Sequence, residues 1–128
     1  ITLAQSEKIC LDYQNNRELD IVVLRLENVY GIPQNAKQID NMCAKMCMQA
    51  LKKGYITVDS KEVTSFLHEK DAVEFIYQFV LHMNNKEGLY NISSSEEINI
   101  SDLVFIISET VGNSIGKEIN IIENSFTK

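Results

Sequence analysis

The chain has 128 residues, 45% of them hydrophobic and 23% charged, and its 18 acidic and 12 basic side chains give a net charge of −6. That length corresponds to one domain or to part of a larger one, and it suffices to bury ~65–70% of the unfolded surface without disulfide or metal staples. The acidic balance argues against an electrostatic nucleic-acid binder and a polybasic membrane anchor, and no apolar run approaches the ~20 residues of a membrane span. Three cysteines, Cys10, Cys43 and Cys47, are too few for a disulfide framework and point to a reducing, cytoplasmic compartment. The sequence opens at Ile1 without a methionine and closes on Asn124-Ser125-Phe126-Thr127-Lys128, which reads as a piece of a longer protein.

The pattern predicts a first helix over Thr2–Gln14, with Leu3, Cys10, Leu11 and Tyr13 on one broad face and Asn15-Asn16 as its stop. Asp20 to Leu26 is a β-branched run, apolar on both faces, as in a buried parallel strand. Tyr30-Gly31-Ile32-Pro33 breaks it. A second helix is expected over 37–53, where Ile39, Met42, Cys43, Met46, Cys47 and Ala50 share one face and Gly54 ends the run. Tyr55–Val58 reads as a short strand, and Asp59 to Ser65 as a polar connection to Phe66-Leu67-His68. Asp71 and Glu74 resemble a capping box before a helix striped by Val73, Ile76, Phe79, Val80 and Met83. Leu89–Ile92 reads as a strand. Ser101 reads as the cap of a helix with Leu103, Ile106, Ile107 and Val111 inward and Gly112 as its stop. Lys117 to Ile122 reads as a last strand. Strands alternating with helices predict an α/β architecture.

Few residues carry recognisable chemistry by themselves. Cys43 and Cys47 lie one helical turn apart, but His68 and His82 are distant, so no metal site is expected and the thiols read as small core hydrophobes. His68 reads as a half-buried histidine bonded to backbone, and His82 as a helix-end residue. Glycines 31, 54, 88, 112 and 116 are isolated, so the glycine-rich turn of a dinucleotide or phosphate site is absent. Arg25 and Asn28 stand at the carboxyl end of the first strand, where open α/β sheets bind ligands.

Five blocks, taken in order, resemble one family. Leu24-Arg25-Leu26-Glu27-Asn28-Val29-Tyr30-Gly31-Ile32-Pro33 is similar to the LR-x-x-NVYG signature of extended short-chain dehydrogenases, the NAD-dependent nucleotide-sugar epimerases and dehydratases typified by UDP-glucose 4-epimerase. Ala50 to Gly54 with Ile56-Thr57-Val58, then Phe66 to Ala72, Gly88 to Ser94, and Ile100 to Leu103 resemble the family's later blocks, so the likeness covers nearly the whole chain.

The resemblance implies the C-terminal part of an NAD(P)-binding, Rossmann-like fold with an interleaved substrate domain. Residues 1–33 would supply the last catalytic helix and a Rossmann strand, and residues 34–128 mainly the substrate-binding part. It implies a cytoplasmic enzyme that oxidises a nucleotide-sugar transiently, used in polysaccharide synthesis, with NAD held mainly by an N-terminal half outside these residues. The family's tyrosine and lysine are not assignable: the lysine position falls at Leu3 if Glu7 matches the helix glutamate, or both residues are replaced if Ile1 to Gln5 is the motif. The chain alone is therefore expected to be inactive. Asn28 matches the asparagine that holds the nucleotide-sugar, and Val58 the segment lying along the base. Thr64 stands where the family often has a phosphate-gripping arginine, Glu69 replaces a valine and Ser93 a glycine. Lys52, Lys53, Lys61 and Lys70 are the candidate sources of compensating charge. A homodimer through the first helix is also implied. The alternatives are a non-catalytic family member that senses a ligand or binds a protein, and an unrelated small α/β domain. A fragment of the family fold should leave apolar helix faces exposed.

Overall fold

In the computed structural model, residues 2–17, 19–32, 41–58, 62–82 and 88–123 are described. The chain runs α1 (Leu3–Arg17), β1 (Val22–Leu26), β2 (Val29–Tyr30), α2 (Met42–Lys53), β3 (Tyr55–Val58), β4 (Val63–Ser65), β5 (Leu67–His68), α3 (Glu69–Leu81), β6 (Gly88–Ile92), β7 (Glu97–Asn99), α4 (Ile100–Ile115) and β8 (Asn120–Glu123). The expected α/β alternation is present, and the strands pair two by two. β1 with β6, β2 with β5 and β3 with β8 are parallel, while β4 and β7 are antiparallel.

The core lies where α2 and α4 cover β3. Ala50, Ile56, Val58, Ile100, Val104 and Ile107 are buried together, with Met46, Cys47, Phe66 and Leu103 packed around them. The reason is periodic. Cys43, Met46, Cys47 and Ala50 fall on one helical face, as do Ile100, Val104, Ile107 and Val111. Gly54 closes α2 in the left-handed conformation, donating its N–H to the Ala50 carbonyl, as its position in the sequence predicts.

Several boundaries differ from expectation. α1 runs through Asn15 and Asn16, and its half-buried face is Glu7, Cys10, Leu11 and Gln14, while Leu3 and Tyr13 are exposed. β1 is only half-buried, with Arg25 and Leu26 exposed, rather than buried on both sides. β4 lies in the stretch that reads as a polar connection, and β7 in a stretch for which the pattern predicts no element. Each holds only three residues and gains its strand state from pairing with the other. α3 begins at Glu69, not at Asp71, because the His68 ring Nδ1 accepts the Lys70 N–H at 3.2 Å and caps the helix. α4 is capped by Asn99, whose side-chain oxygen accepts the Ser101 N–H at 2.9 Å, rather than by Ser101. Ile106 faces outward. Pro33, Ile39, Lys61 and Met83 lie outside the described residues.

α4 also passes through Gly112 and ends at Gly116. Gly112 has another role. A Cβ there would sit 2.8 Å from the Lys117 carbonyl oxygen, and the Lys117 N–H donates to the Gly112 carbonyl at 3.1 Å. The chain can turn from α4 into β8 this tightly because position 112 has no side chain. Gly112→Ala should therefore destabilise the protein although alanine favours helix by about 1 kcal/mol. We expect a net loss of ~1 kcal/mol, read as a fall in Tm of ~3–6 °C. A rise in Tm would show that the turn yields freely.

α3 leaves an apolar face uncovered, with Val73 66% and Val80 62% exposed beside Tyr77 and Leu81. The family resemblance anticipates such faces. Among the described residues no helix is long and apolar enough to cross a membrane.

Candidate functional site

The site is built at the end of β1. The strand ladder continues one residue past Leu26, where the Glu27 N–H donates to the Ile92 carbonyl, and the chain then turns at Asn28. Asn28 has φ +37°, a left-handed conformation that asparagine tolerates better than most residues. Its carbonyl accepts the Leu67 N–H, which starts the β2–β5 pairing. Its side-chain amide donates to Thr64 Oγ1 at 2.8 Å and to the Ser65 carbonyl at 3.0 Å. The Thr64 hydroxyl donates onward to Glu27 Oε1 at 3.3 Å, and the Ser65 hydroxyl to Glu27 Oε2 at 3.0 Å. This network ties β4 to the β1–β2 corner and fixes the orientation of the Asn28 amide.

A cleft of about 630 Å³ opens in front of that corner. Asn28, Val29 and Tyr30 form one wall, and Asn41, Lys45 and Gln49 of the α2 side form the other. Met42, Met46, Thr57 and Phe66 complete it. Gln49 Nε2 donates to Thr57 Oγ1 at 3.0 Å, which links α2 to β3 across the cleft. Tyr30 stands edge-on to Phe66 and His68, with ring centroids 6.4 and 5.1 Å away. Amides, a hydroxyl and aromatic edges suit a ligand with a hydrogen-bonding, partly apolar body. A second groove, about 570 Å³, lies between the end of α4 and β8 and collects none of the candidate binding residues Asn28, Val58 and Thr64.

The residues selected from the sequence are placed unequally. Asn28 is on the cleft wall. Thr64 lies behind it, spending its hydroxyl on Asn28 and Glu27. Val58 does not line the cleft. Its side chain is 2% exposed and belongs to the core, because alternation along β3 turns Thr57 the other way. Arg25 is also away from the cleft, in a two-pronged ion pair with Glu7 of α1. The guanidinium hydrogen bond holds the Glu7 carboxyl below its ordinary range and raises the Arg25 pKa. Lys52, Lys53 and Lys70 do not reach the cleft either, and the Lys53 ammonium lies 5.7 Å from the Tyr55 ring centroid. Sequence reasoning missed Lys45, Gln49 and Glu27. The last had a signal, standing next to Asn28 in the same block.

Burial pushes the Cys43 and Cys47 thiols above their ordinary pKa, and at Cys43 the neighbouring Cys47 adds to it. The thiolate is the reactive form, so a raised pKa slows alkylation at neutral pH. Iodoacetamide should label both more slowly than glutathione at pH 7.5, with rates rising about tenfold per pH unit below the thiol pKa. Labelling faster than glutathione, read by mass spectrometry, would contradict this environment.

Comparison with known proteins agrees with the architecture. Residues 2–93 match the model of the NAD dependent epimerase/dehydratase family. A trifunctional UDP-glucose 4,6-dehydratase/UDP-4-keto-6-deoxy-D-glucose 3,5-epimerase/UDP-4-keto-L-rhamnose-reductase of Arabidopsis thaliana is 28% identical over 123 residues, 96% of this chain and 18% of that protein. UDP-glucuronic acid decarboxylase 3 of Arabidopsis thaliana is 26% identical over 122 residues, 94% of this chain and 34% of that protein. The chain thus spans between about a fifth and a third of these relatives. UDP-glucuronic acid 4-epimerase from Bacillus cereus, solved in complex with NAD, superposes with a TM-score of 0.72 at 22% identity, covering 94% of this chain and 38% of that one. That likeness concerns the fold. With the family model spanning most of its length and the α/β elements in place, the chain belongs to the NAD dependent epimerase/dehydratase family.

Proposed function

We propose that this chain is the substrate-binding portion of an NAD-dependent nucleotide-sugar epimerase or dehydratase, which oxidises a sugar carbon transiently in the intact enzyme. The observation that carries the reading is Asn28, held by Thr64 and Ser65 on the wall of the cleft at the carboxyl end of β1. It stands in the block that resembles the family's nucleotide-sugar asparagine. In this reading residues 1–33 form the Rossmann side and residues 34–128 mainly the substrate side. The two Arabidopsis relatives carry UDP-sugars in their names, which favours a nucleotide-sugar of that class here.

The dinucleotide is another matter. The left-handed glycines at 54 and 116 close helices and Gly88 opens β6, so among the described residues none starts a helix as a pyrophosphate-binding turn would. These residues do not fit the NAD pyrophosphate, and the proposal assigns it to a part of the enzyme outside them. The task of this chain is then to bind and orient the sugar substrate.

A non-catalytic binding role is the second reading, and Thr64 favours it, since its hydroxyl serves Asn28 and Glu27 where a phosphate clamp would be expected. Calorimetry with UDP-glucose and NAD tests the main proposal. UDP-glucose should bind and NAD should not. An absence of UDP-sugar binding, or tight binding of NAD by this chain, would overturn it.

A further inference from the structure

We infer that Glu27 is a positioning residue that makes Asn28 a hydrogen-bond acceptor toward the cleft, so that the ligand group received there is a donor, a hydroxyl or a ring N–H, and not a phosphate oxygen. This rests on the nucleotide-sugar reading of the cleft. It follows from which groups in the corner can donate. An ionised carboxylate only accepts, so the Thr64 and Ser65 hydroxyls, at 3.3 and 3.0 Å, both give their protons to Glu27. Each hydroxyl has a single proton. Thr64 Oγ1 therefore meets Asn28 as an acceptor, and the atom 2.8 Å away is the amide nitrogen. The Ser65 carbonyl, 3.0 Å from the same nitrogen, also only accepts. Both amide hydrogens are thus engaged on β4, and Oδ1 is the end of the amide turned away from it.

The sequence builds this relay from two short, fixed segments. Glu27 and Asn28 are consecutive at the close of β1, where the Glu27 N–H still bonds to the Ile92 carbonyl and Asn28 turns at φ +37°. Thr64 and Ser65 are consecutive on β4, held there by pairing with Ile98 and Glu97 of β7. Ser65 is 4% exposed, and a hydroxyl buried to that degree needs an acceptor, which Glu27 supplies. Without the carboxylate, the Thr64 proton is free to turn to Asn28 Oδ1, and the amide loses its single direction.

Asn28 lines the cleft, so a ligand there meets Oδ1. A phosphate oxygen in that place would set two acceptors against each other. A sugar hydroxyl or the ring N–H of a uracil supplies the proton that the pair needs. UDP-glucose carries both kinds of donor.

The test is calorimetry of UDP and UDP-glucose on the 128-residue chain, on Glu27→Ala and on Glu27→Gln, together with NMR of the Asn28 side-chain amide. Circular dichroism confirms the fold of each variant. By charge alone, loss of a carboxylate near the cleft should tighten an anionic ligand. We expect the opposite sign. Glu27→Ala should weaken UDP-glucose about five- to tenfold, and Glu27→Gln, which keeps one accepting oxygen, should weaken it less. In the parent chain the two Asn28 amide protons should exchange slowly with solvent and hold their shifts when UDP-glucose is added, and in Glu27→Ala they should exchange faster. A loss confined to UDP-glucose assigns the donor to the hexose, and an equal loss for UDP assigns it to the nucleoside. Unchanged or tighter binding by Glu27→Ala, or Asn28 amide protons that shift strongly on addition of UDP-glucose, overturns the inference while the nucleotide-sugar reading stands. If the parent chain binds neither UDP nor UDP-glucose, both fall.

Discussion

Ile56→Ala should lower the unfolding free energy by about 2–4 kcal/mol, the range for removing a large aliphatic side chain from a packed core. Ile56 is 0% exposed and sits at the centre of β3, between the inward faces of α2 and α4. The loss is the transfer energy of the missing carbons plus the cavity they leave. Small domains are stable by only ~5–15 kcal/mol, so this substitution removes a large share of the total. Urea denaturation should show a lower midpoint with an unchanged slope. Ile121, on the neighbouring strand β8 and 41% exposed, provides the contrast. Ile121→Ala should cost no more than about 1 kcal/mol. Equal costs at both positions would mean that the core is not where the fold places it.

Asn28→Asp should cripple the cleft while keeping its backbone. Aspartate tolerates the left-handed conformation at φ +37°, so the change isolates the hydrogen bonds. The native amide donates to Thr64 Oγ1 and to the Ser65 carbonyl. A carboxylate cannot donate, and it would face that carbonyl with the Glu27 carboxylate already bound to the same two residues. We expect a stability loss of ~1–3 kcal/mol and a fall in UDP-glucose affinity of about tenfold or more. The pH dependence has a definite sign. Repulsion from Glu27 raises the pKa of the introduced carboxyl, and its protonated form can again donate to the Ser65 carbonyl. The stability defect should therefore shrink as pH falls below about 5 and be full at neutral pH. A defect independent of pH would show that the donated hydrogen bonds are not what Asn28 contributes.

What the sequence made legible follows from where local pattern and tertiary packing agree. α2 and β3 were readable because their apolar spacing, Gly54 and the β-branched run all point the same way. β4 and β7 were not, since Val63-Thr64-Ser65 and Glu97-Ile98-Asn99 have no strand pattern of their own and become strands only by pairing with each other. The caps were misplaced for a related reason. Asp71 and Ser101 are good capping residues, but the chain bends three and two residues earlier, where His68 and Asn99 find the helix N–H groups. Gly112 looked like a helix end because a close backbone approach and a helix stop leave the same mark in a sequence.

The candidate site divides in the same way. Asn28 was readable from its block and from its place at a strand end. Lys45 was not, because its position on the cleft depends on which face of α2 the core buries, and the lysines around Gly54 looked equally suited. Val58 and Thr64 were selected by position in a pattern, whereas alternation along β3 buries the first and the Glu27 network engages the second.

Backbone amide shifts recorded by NMR during titration with UDP-glucose test the central claim most directly, since they report where the ligand sits as well as whether it binds. The account predicts that Asn28 to Tyr30, Asn41 to Lys45 and Thr57 shift together and saturate at one ligand concentration. Shifts confined to the groove around Gly112 and Lys117, or no shifts at all, would contradict it.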